Sequence, residues 1–380
     1  MPKPDAAKLL ASARSGDRAA LARLLTMVES DPDAAFVAAG VVPKAESRKP
    51  KADAHIIGFT GSPGAGKSSL LDRLAGELAR SGARPACRGE ARPSGRRPAV
   101  LSIDPTSPFT GGAVLGDRVR MSEETLAVGV FVRSMASRGA AGGLARSVSA
   151  AARVLALSGY SPVLIETVGA GQGEVAVAEL ADTVVVVLVP GMGDDVQMLK
   201  MGILEIADVY AVNKIDLGGS AAFVEHLCEA VSGPGAHGRA RHELAAGPVS
   251  DWVPAIVPTS ARTGEGIVEL VAAVESHRRH LAEDGRGQAL RAARAGRRIL
   301  RALAERLAAE AGCEGSCRLE LGKLAAAVAS GAMSEWHAAG ELLGTSIMSP
   351  AAKSGGRKRL LDSRPAGRAG RPGSDHGKSL

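Results

Sequence analysis

Residues Ile57–Leu70 read IGFTGSPGAGKSSL. It begins with an apolar run, continues with the pattern G-x-x-x-x-G-K-[ST] from Gly61 to Ser68, and ends in a helix-forming sequence. Glycines in such a loop let the backbone N–H groups turn inward around phosphate oxygens, and a helix that begins near Gly66 adds its positive end. The stretch therefore predicts a strand, a phosphate-binding loop and a helix, in that order.

The predicted loop supplies both phosphate and metal ligands. Lys67 can reach the β and γ phosphates of a nucleotide, and the Ser68 hydroxyl can bind Mg²⁺. A glycine-rich turn with a purely structural role is the alternative, and the presence of both the pattern and its strand–helix context disfavours it. The residues predicted to bind the phosphates are Gly61, Ser62, Pro63, Gly64, Ala65, Gly66, Lys67, Ser68 and Ser69.

Six short apolar runs, rich in Val and Ile, are spread along the chain, and helical patterns lie between several of them. Nearly continuous apolarity is typical of strands buried on both faces of a parallel sheet. The alternation predicts an α/β protein with a mostly parallel, doubly wound P-loop NTPase sheet, N-terminal helices and a C-terminal helical region. The predicted strands are His55–Thr60, Ala99–Asp104, Pro162–Thr167, Thr183–Pro190, Val209–Lys214 and Ile256–Ala261, and the predicted helices include Lys67–Arg80 and Gly143–Leu157.

The same patterns divide the chain into four parts. We expect an N-terminal helical segment and linker at 1–50, the P-loop domain at 51–280, a C-terminal helical region at 281–348 and a disordered tail at 349–380. Two Gly/Pro/Arg-rich insertions, 84–98 and 233–251, interrupt the P-loop domain and are predicted to be loops or disordered.

Charge and composition narrow the classes of partner. The tail from Lys353 to Leu380 carries eight Lys/Arg and two Asp, so it accounts for +6 of the chain's net charge of +7. The body is close to neutral, and we expect no nucleic-acid partner. No apolar run approaches the roughly 20 residues of a membrane helix, and no secretory signal is expected. Four scattered cysteines suit a reducing compartment: the cytoplasm, or the mitochondrial matrix for a eukaryotic source.

A second motif indicates which nucleotide binds. In Asn213-Lys214-Ile215-Asp216, the aspartate carboxylate can accept from guanine N1–H and the exocyclic amine, whereas adenine presents the wrong pattern. We expect Asn213 to secure the loop and face N7, and the Lys214 stem to lie along the base. The last predicted strand completes the base pocket and aims a backbone N–H at guanine O6. The candidate base contacts there are Ser260, Ala261 and Arg262.

Three further residues follow or end predicted strands near the phosphate loop. Gly169 can donate its backbone N–H to the γ-phosphate. Glu166 and Asp104 place carboxylates at the carboxyl ends of strands, a position that favours metal binding. For Asp104 alone, a helix cap or turn residue is the alternative. The predicted metal ligands are therefore Ser68, Asp104 and Glu166.

Three runs together carry a resemblance to a known family: DPTSPFTGGAVLGDRVRM (104–121), ETVGAGQGE (166–174) and PGMGDDVQMLKMGILEIAD (190–208). The chain resembles the MeaB/ArgK GTPases, chaperones of adenosylcobalamin-dependent methylmalonyl-CoA mutase, most densely from about residue 55 to 275. The family commonly has Ser where this chain has Gly173, and Thr where it has Ser69; neither difference removes a ligand.

The resemblance implies a reaction and a set of catalytic residues. It implies that the chain binds Mg-GTP, hydrolyses it to GDP, forms a homodimer and acts as chaperone or gatekeeper of a methylmalonyl-CoA mutase or a related cobalamin-dependent mutase. Residues 193–200 would form a further switch segment. The candidate catalytic residues are Lys67, Asp104, Asp117, Glu166 and Glu174, of which Asp117 and Glu174, with Gln172, would lie near the γ-phosphate. Because no glutamine directly follows Gly169, we expect slow intrinsic turnover.

Three alternatives remain at this level. One is a kinase of the ArgK type, linked to amino-acid transport, although the Asn213–Asp216 motif favours guanine over adenine. Another is a metal-delivering GTPase, for which Cys313, Cys317, His237 and His242 are the only candidates and chance occupancy is favoured. The third is a nucleotide-gated scaffold without catalysis, which would use the same binding residues.

Overall fold

The computed structural model describes residues 5–30, 54–82, 97–104, 121–136, 141–167, 177, 179–191, 206–232, 252–313 and 323–325. Within these ranges the strands are β1 (Ile56–Gly61), β2 (Ala99–Asp104), β3 (Phe131–Ala136), β4 (Val163–Thr167), β5 (Thr183–Leu188), β6 (Val209–Val212) and β7 (Ala255–Pro258). The helices are α1 (Ala6–Arg14), α2 (Arg18–Ser30), α3 (Lys67–Gly82), α4 (Glu123–Ala127), α5 (Ala141–Leu157), α6 (Ser220–Ser232), α7 (Ile267–Ala282) and α8 (Arg286–Cys313).

The seven strands form one parallel sheet in the order β3-β2-β4-β1-β5-β6-β7. The strand that enters the phosphate loop, β1, is therefore central, with β4 and β5 on its two sides. In the parallel pairing of β1 with β4, Phe59 lies opposite Glu166, so the Glu166 carboxylate lies beside the phosphate loop. The strand that ends at Asp104 pairs with β4 and β3, and thus lies one strand farther from the loop. The predicted doubly wound α/β class is confirmed.

All six predicted strands are present, and a seventh was missed. The edge strand β3 contains Arg133 and Ser134, which break the apolar run that marks the buried strands. The side chain of Arg133 forms a salt bridge of 3.0 Å with Glu29 of α2. Strands β6 and β7 also end earlier than predicted, so Asn213 and Ser260 lie on loops at the carboxyl edge rather than within strands.

Helices cover both faces of the sheet. Alternate strand residues point to opposite sides, and on both sides these residues are apolar and buried. On one face, Ile165 belongs to a buried cluster with Leu21 and Leu24 of α2 and Val148 of α5. The same face continues over β5 and β6 in a cluster that includes Leu227 of α6. The other face is covered by α3 and α7 in a third cluster, which contains Leu70, Leu74, Leu78, Leu164, Leu270 and Val274. Burial of these apolar side chains at roughly 25 cal/mol per Å² holds the layers together.

The N-terminal helical pair was predicted with a break at Ser15-Gly16-Asp17, and α1 and α2 flank that break. Asp5 caps α1 by accepting from the N–H of Ala7 at 3.0 Å. The pair packs against α5, so residues 5–30 are part of the layer on the sheet rather than a separate body.

The chain forms two compact units, Met1–Arg298 and Ile299–Leu380. Of the second unit the structure describes 299–313 and 323–325, which are helical. The division that we predicted between 280 and 281 stays a prediction, and the predicted tail and most of both insertions lie outside the described residues. In the part of the chain that is described, no helix combines the length and apolarity needed to cross a membrane.

A buried polar network lies at the amino edge of the sheet, opposite the phosphate loop. The Thr183 hydroxyl at the start of β5 is 2.8 Å from Nε2 of His55 and 2.8 Å from Nδ1 of His277 on α7. Nε2 of His277 is 3.1 Å from a carboxylate oxygen of Asp208, which precedes β6. Three strands and α7 are therefore joined by side chains that have almost no contact with solvent.

Candidate nucleotide-binding site

The phosphate loop runs from Gly61 to Ser68 between β1 and α3, as predicted. Gly61, Gly64 and Gly66 have φ angles of 141°, 76° and 85°, in the region that favours glycine. A Cβ atom on Gly61 would lie 2.3 Å from the Val187 carbonyl oxygen, and one on Gly66 would lie 2.5 Å from Nδ2 of Asn213. Both glycines are therefore required by space as well as by backbone conformation.

Lys67 is folded over this loop and is only 6% exposed. Its Nζ donates to the carbonyl oxygens of Gly61 and Ser62, at 2.8 and 2.9 Å. The Ser62 hydroxyl is buried and has no hydrogen-bond partner within the described part of the chain, so the loop holds a polar atom that a phosphate oxygen would satisfy. An ammonium group, an orphaned hydroxyl and the N-terminus of α3 together fit the phosphates of a nucleotide.

The predicted metal ligands come together in part. The Ser68 hydroxyl donates to Oε1 of Glu166, which joins the first turn of α3 to the end of β4. Glu166 is 3% exposed, and its carboxylate and the serine hydroxyl are the hard oxygen donors that Mg²⁺ prefers. This donor set fits Mg²⁺. Asp104 ends β2 on the same edge of the sheet, and its side chain lies outside the described part of the structure.

The side chain of Asn213 joins the phosphate loop to the loop of residues 259–266 that follows β7, called the base loop below. Its Nδ2 donates to the Ala65 carbonyl oxygen at 2.8 Å, and its Oδ1 accepts from the Ala261 N–H at 3.1 Å. Lys214 follows in the left-handed region with φ of 64°, so the chain turns sharply after β6. The structure thus shows the loop-securing role expected of Asn213.

Asp216 presents a carboxylate held by two donors. Its Oδ1 accepts from the Ser260 hydroxyl at 2.6 Å, and its Oδ2 accepts from Nε of Arg262 at 2.8 Å. The hydrogen bond from Ser260, and then that from Arg262, lower the pKa of Asp216 below its ordinary value of 3.8. The group is therefore an ionised acceptor at neutral pH, as recognition of a guanine edge requires.

The sequence reasoning missed one contributor to the base loop. Arg73 of α3 donates through Nε to the Ala261 carbonyl oxygen at 3.1 Å and through Nη2 to that of Arg262 at 3.3 Å. It lies seven residues after Gly66, two helical turns along the same face, and that spacing is the signal that could have identified it. The preceding residue, Asp72, accepts from the N–H of Ser122 at 3.2 Å. The phosphate-loop helix thus fixes two loops through adjacent side chains.

The structure brings most of the predicted site residues to the carboxyl edge of the sheet. They are Gly61 to Ser69, Glu166, Asn213, Lys214, Asp216, Ser260, Ala261 and Arg262, together with the backbone of Asp104. Asp117, Gly169 and Glu174 lie outside the described residues, as do 193–200, His237, His242 and Cys317.

The sequence pattern of one family, described as methylmalonyl Co-A mutase-associated GTPase MeaB, matches residues 21–315. This chain belongs to the MeaB family. The match covers most of α2, the whole sheet and α8, and it confirms the resemblance inferred from the sequence. The chain is accordingly a P-loop GTPase, and the site described above is where a nucleotide binds in such a fold.

Individual proteins that are similar to this MeaB-family chain agree with the family assignment. A protein of Pyrococcus horikoshii assigned as a GTPase is 41% identical over 279 residues, which are 73% of this chain and 80% of that protein. The mitochondrial methylmalonic aciduria type A homolog of Caenorhabditis elegans is 38% identical over 222 residues, 56% of this chain and 53% of its own length. The crystal structure of a LAO/AO transport system kinase superposes with a TM-score of 0.62 at 22% identity, covering 91% of this chain and 99% of that one, and shows the same fold.

Proposed function

We propose that this MeaB-family GTPase binds Mg-GTP, hydrolyses it slowly to GDP and phosphate, and uses the two states to control an adenosylcobalamin-dependent mutase of the methylmalonyl-CoA type. Control would consist of assisting cofactor loading or protecting the loaded enzyme. The observation that carries the nucleotide part is the joining of a phosphate cradle to an ionised acceptor for guanine through Asn213.

Hydrolysis would use groups that neutralise phosphate charge. A water molecule attacks the γ-phosphorus in line, the bond to the β–γ bridging oxygen breaks, and its electron pair stays on GDP. Lys67 and the inward N–H groups of the loop would stabilise the charge that develops on the phosphate oxygens. Ser68, Asp104 and Glu166 would hold Mg²⁺, which would supply further positive charge to the phosphates.

Turnover would be slow in the isolated protein, because no glutamine directly follows Gly169, where a water-positioning residue would be expected. We propose that Asp117 and Glu174 complete the γ-phosphate side of the site and that a partner or second subunit accelerates the reaction. The contact between a backbone N–H of residues 260–262 and guanine O6 belongs to the same proposal, although the N–H of Ala261 itself donates to Oδ1 of Asn213.

The mutase partner is supported by the family to which the chain belongs and by the name of the relative from Caenorhabditis elegans. A homodimer is supported by exposed apolar side chains on α8, namely Ile299, Leu300 and Leu303, which a second copy could cover. We place the protein in the cytoplasm, where the bacterial and archaeal relatives would act, or in the mitochondrial matrix of a eukaryotic source.

The nucleotide part is tested with purified protein and matched variants. Isothermal titration should show binding of Mg-GTP and Mg-GDP and little of Mg-ATP, and phosphate release should occur with GTP alone. Lys67→Ala should abolish that release, whereas Lys8→Ala, at an exposed position on α1, should not change it. Equal affinity for ATP and GTP would contradict the guanine pocket, and ATP-dependent labelling of an acceptor protein would favour the kinase alternative.

The partner part is tested with an adenosylcobalamin-dependent mutase from the same organism. Complex formation is measured by size exclusion with GDP and with a non-hydrolysable GTP analogue, and cofactor occupancy of the mutase is followed by absorbance. We expect the amount of complex, the transfer of cofactor, or both to differ between the two nucleotides. If neither responds while GTP hydrolysis is normal, the GTPase assignment stands and the chaperone role is wrong.

A further inference from the structure

Four arginines lie close together in the middle of α8, at Arg291, Arg294, Arg297 and Arg298. The first, second and fourth recur at intervals of three and four residues, so they share one face of the helix. This face meets the segment before β5: Nη1 of Arg291 is 3.7 Å from a carboxylate oxygen of Asp182, and Nη1 of Arg298 donates to the Glu179 carbonyl oxygen at 3.0 Å. The arginines therefore lie at the amino edge of the sheet.

Acidic groups on this segment balance only part of the positive charge. Asp182 and Glu179 supply two carboxylates against four guanidinium groups, and both residues are buried. The Asp182 carboxylate also accepts the backbone N–H of Ile56 at 2.9 Å, so part of its capacity serves the sheet. Counted over the described residues alone, a surplus of about two positive charges remains around Arg294.

Arg294 is the buried centre of the cluster, with 9% of its surface exposed. Its Nη1 is shielded from solvent and has no hydrogen-bond partner among the described residues, and the same is true of Nε and Nη1 of Arg297. Burial lowers the pKa of Arg294 to about 10; the carboxylates of Asp182 and Glu179 oppose this shift, and the charges of Arg297 and Arg298 add to it. The group still carries its charge at neutral pH.

A buried guanidinium with open donors is unfavourable, because lost hydration is not replaced by partners. Water can accept from the N–H groups but does not neutralise the charge. An oxyanion with several acceptor atoms does both, and guanidinium forks match the oxygen spacing of phosphate and carboxylate groups.

We propose that the α8 arginines and the segment before β5 form a second anion site, which binds a small divalent oxyanion of the phosphate class. Arg294 and Arg297 are the ligands, and Asp182 and Glu179 hold the neighbouring arginines in place. The anion is either free phosphate or the phosphoryl group of a phosphomonoester. It enters when the partly exposed side chain of Arg297, which has several rotatable bonds, turns outward.

This site is separate from the nucleotide. The strand β5 begins next to the arginines and ends beside the phosphate loop, and six residues of strand span about 20 Å. An anion bound there does not touch the hydrolytic groups, so the proposal does not depend on GTP binding.

The test keeps the phosphate loop occupied. Full-length protein is saturated with Mg-GDP, and thermal unfolding and isothermal titration are followed against inorganic phosphate, glycerol phosphate and, at matched ionic strength, chloride. We expect saturable binding of phosphate and a rise in Tm of at least about 2 °C that chloride does not reproduce. Response to phosphate alone indicates a site for the free ion, and a response to both indicates a site for phosphoryl groups. The Lys67→Ala variant should respond like the wild type, since the phosphate loop is not involved.

Variants separate the site from a structural ion network. Arg294→Met should abolish the saturable response, and Arg294→Lys should weaken phosphate binding at least about tenfold because the fork is lost. Arg278→Met is the matched control, since this arginine is 42% exposed in its side chain and pairs with Glu275 at 2.9 Å. A wild type whose response to phosphate equals its response to chloride would overturn the proposal, as would an unchanged response in Arg294→Met. If that variant does not fold, the wild-type titration alone decides.

Discussion

The side-chain amide of Asn213 donates to the carbonyl oxygen of Ala65 at 2.8 Å, a bond that joins residues 148 positions apart in the sequence. The other end of the same amide accepts from the Ala261 N–H. One side chain therefore sets the position of the phosphate loop relative to the base loop. A nucleotide that spans the two loops meets a preorganised site only while both bonds are present.

Asn213→Ala should weaken Mg-GDP binding about thirtyfold, because two hydrogen bonds of about 1 kcal/mol each are lost from the preorganised site. Isothermal titration measures the change. Leu217→Ala is the control: Leu217 follows Asn213 on the same loop and is 74% exposed, so its substitution should leave the affinity unchanged. Equal effects of the two substitutions would show that the loops are held together by other means.

Gly66→Ala should abolish nucleotide binding, whereas Gly129→Ala should not. Both glycines have positive φ, 85° and 95°, so each substitution costs about 1–2 kcal/mol of stability from backbone strain. A Cβ atom at Gly66 also meets the Asn213 amide, but one at Gly129 meets nothing within 4 Å. Urea unfolding and GDP titration of both variants separate strain from collision. Retention of GDP affinity in Gly66→Ala would contradict the close approach of the two loops.

Asp216→Asn should reduce GTP affinity about a hundredfold and shift preference toward xanthine nucleotides. The amide presents an N–H where guanine presents its own donors, whereas xanthine offers an oxygen there. Competition between GTP, XTP and ATP measures the preference, and Asp284→Asn, at an exposed acidic residue, is the control. An unchanged base preference would place guanine recognition elsewhere.

Titration of Asp216 should make no contribution to the pH dependence of GDP affinity between about pH 5 and 8. Its pKa is lowered in the folded protein, so its ionised form is fully present above the ordinary value of 3.8 and is lost only as pH falls through the lower folded value. Replacing Arg262 with Gln removes one of the two donors and should raise the pKa of Asp216 toward 3.8. A ¹³C-NMR titration of the aspartate carboxyl carbons measures both values, and a higher pKa in the wild type than in the variant would contradict the pairing.

Local pattern was sufficient for the parts of the site that are contiguous in sequence. The phosphate loop with its strand and helix is specified by residues 57–70, whose glycines and lysine act within a few positions of one another. The Asn213–Asp216 motif likewise predicted the carboxylate that we propose as the acceptor for guanine. Its partners could not be derived, because Ala65 and Ala261 lie 148 and 48 residues away and their bonds depend on which strands are neighbours.

Other features were hidden because their residue types have a more ordinary interpretation. Arg73 falls on an exposed position of an amphipathic helix, where an arginine normally faces solvent. The edge strand β3 was missed because Arg133 and Ser134 leave it with fewer apolar residues than the neighbouring strands have. His55 and His277 meet one hydroxyl although 222 positions separate them, and a single histidine in a sequence gives no indication of such a partner.

Thr183→Val tests that buried network. Valine keeps the shape and strand preference of threonine but leaves the nitrogen atoms of His55 and His277 without the hydroxyl that lies 2.8 Å from each. We expect a loss of about 2 kcal/mol in the free energy of unfolding, since two buried polar atoms lose a partner. Urea unfolding measures the loss, and Thr183→Ser, which keeps the hydroxyl, should lose less. GDP affinity should not change in either variant, because β5 separates Thr183 from the phosphate loop by about 20 Å. Equal stability of the valine and wild-type proteins would show that the network contributes no net stability to the fold.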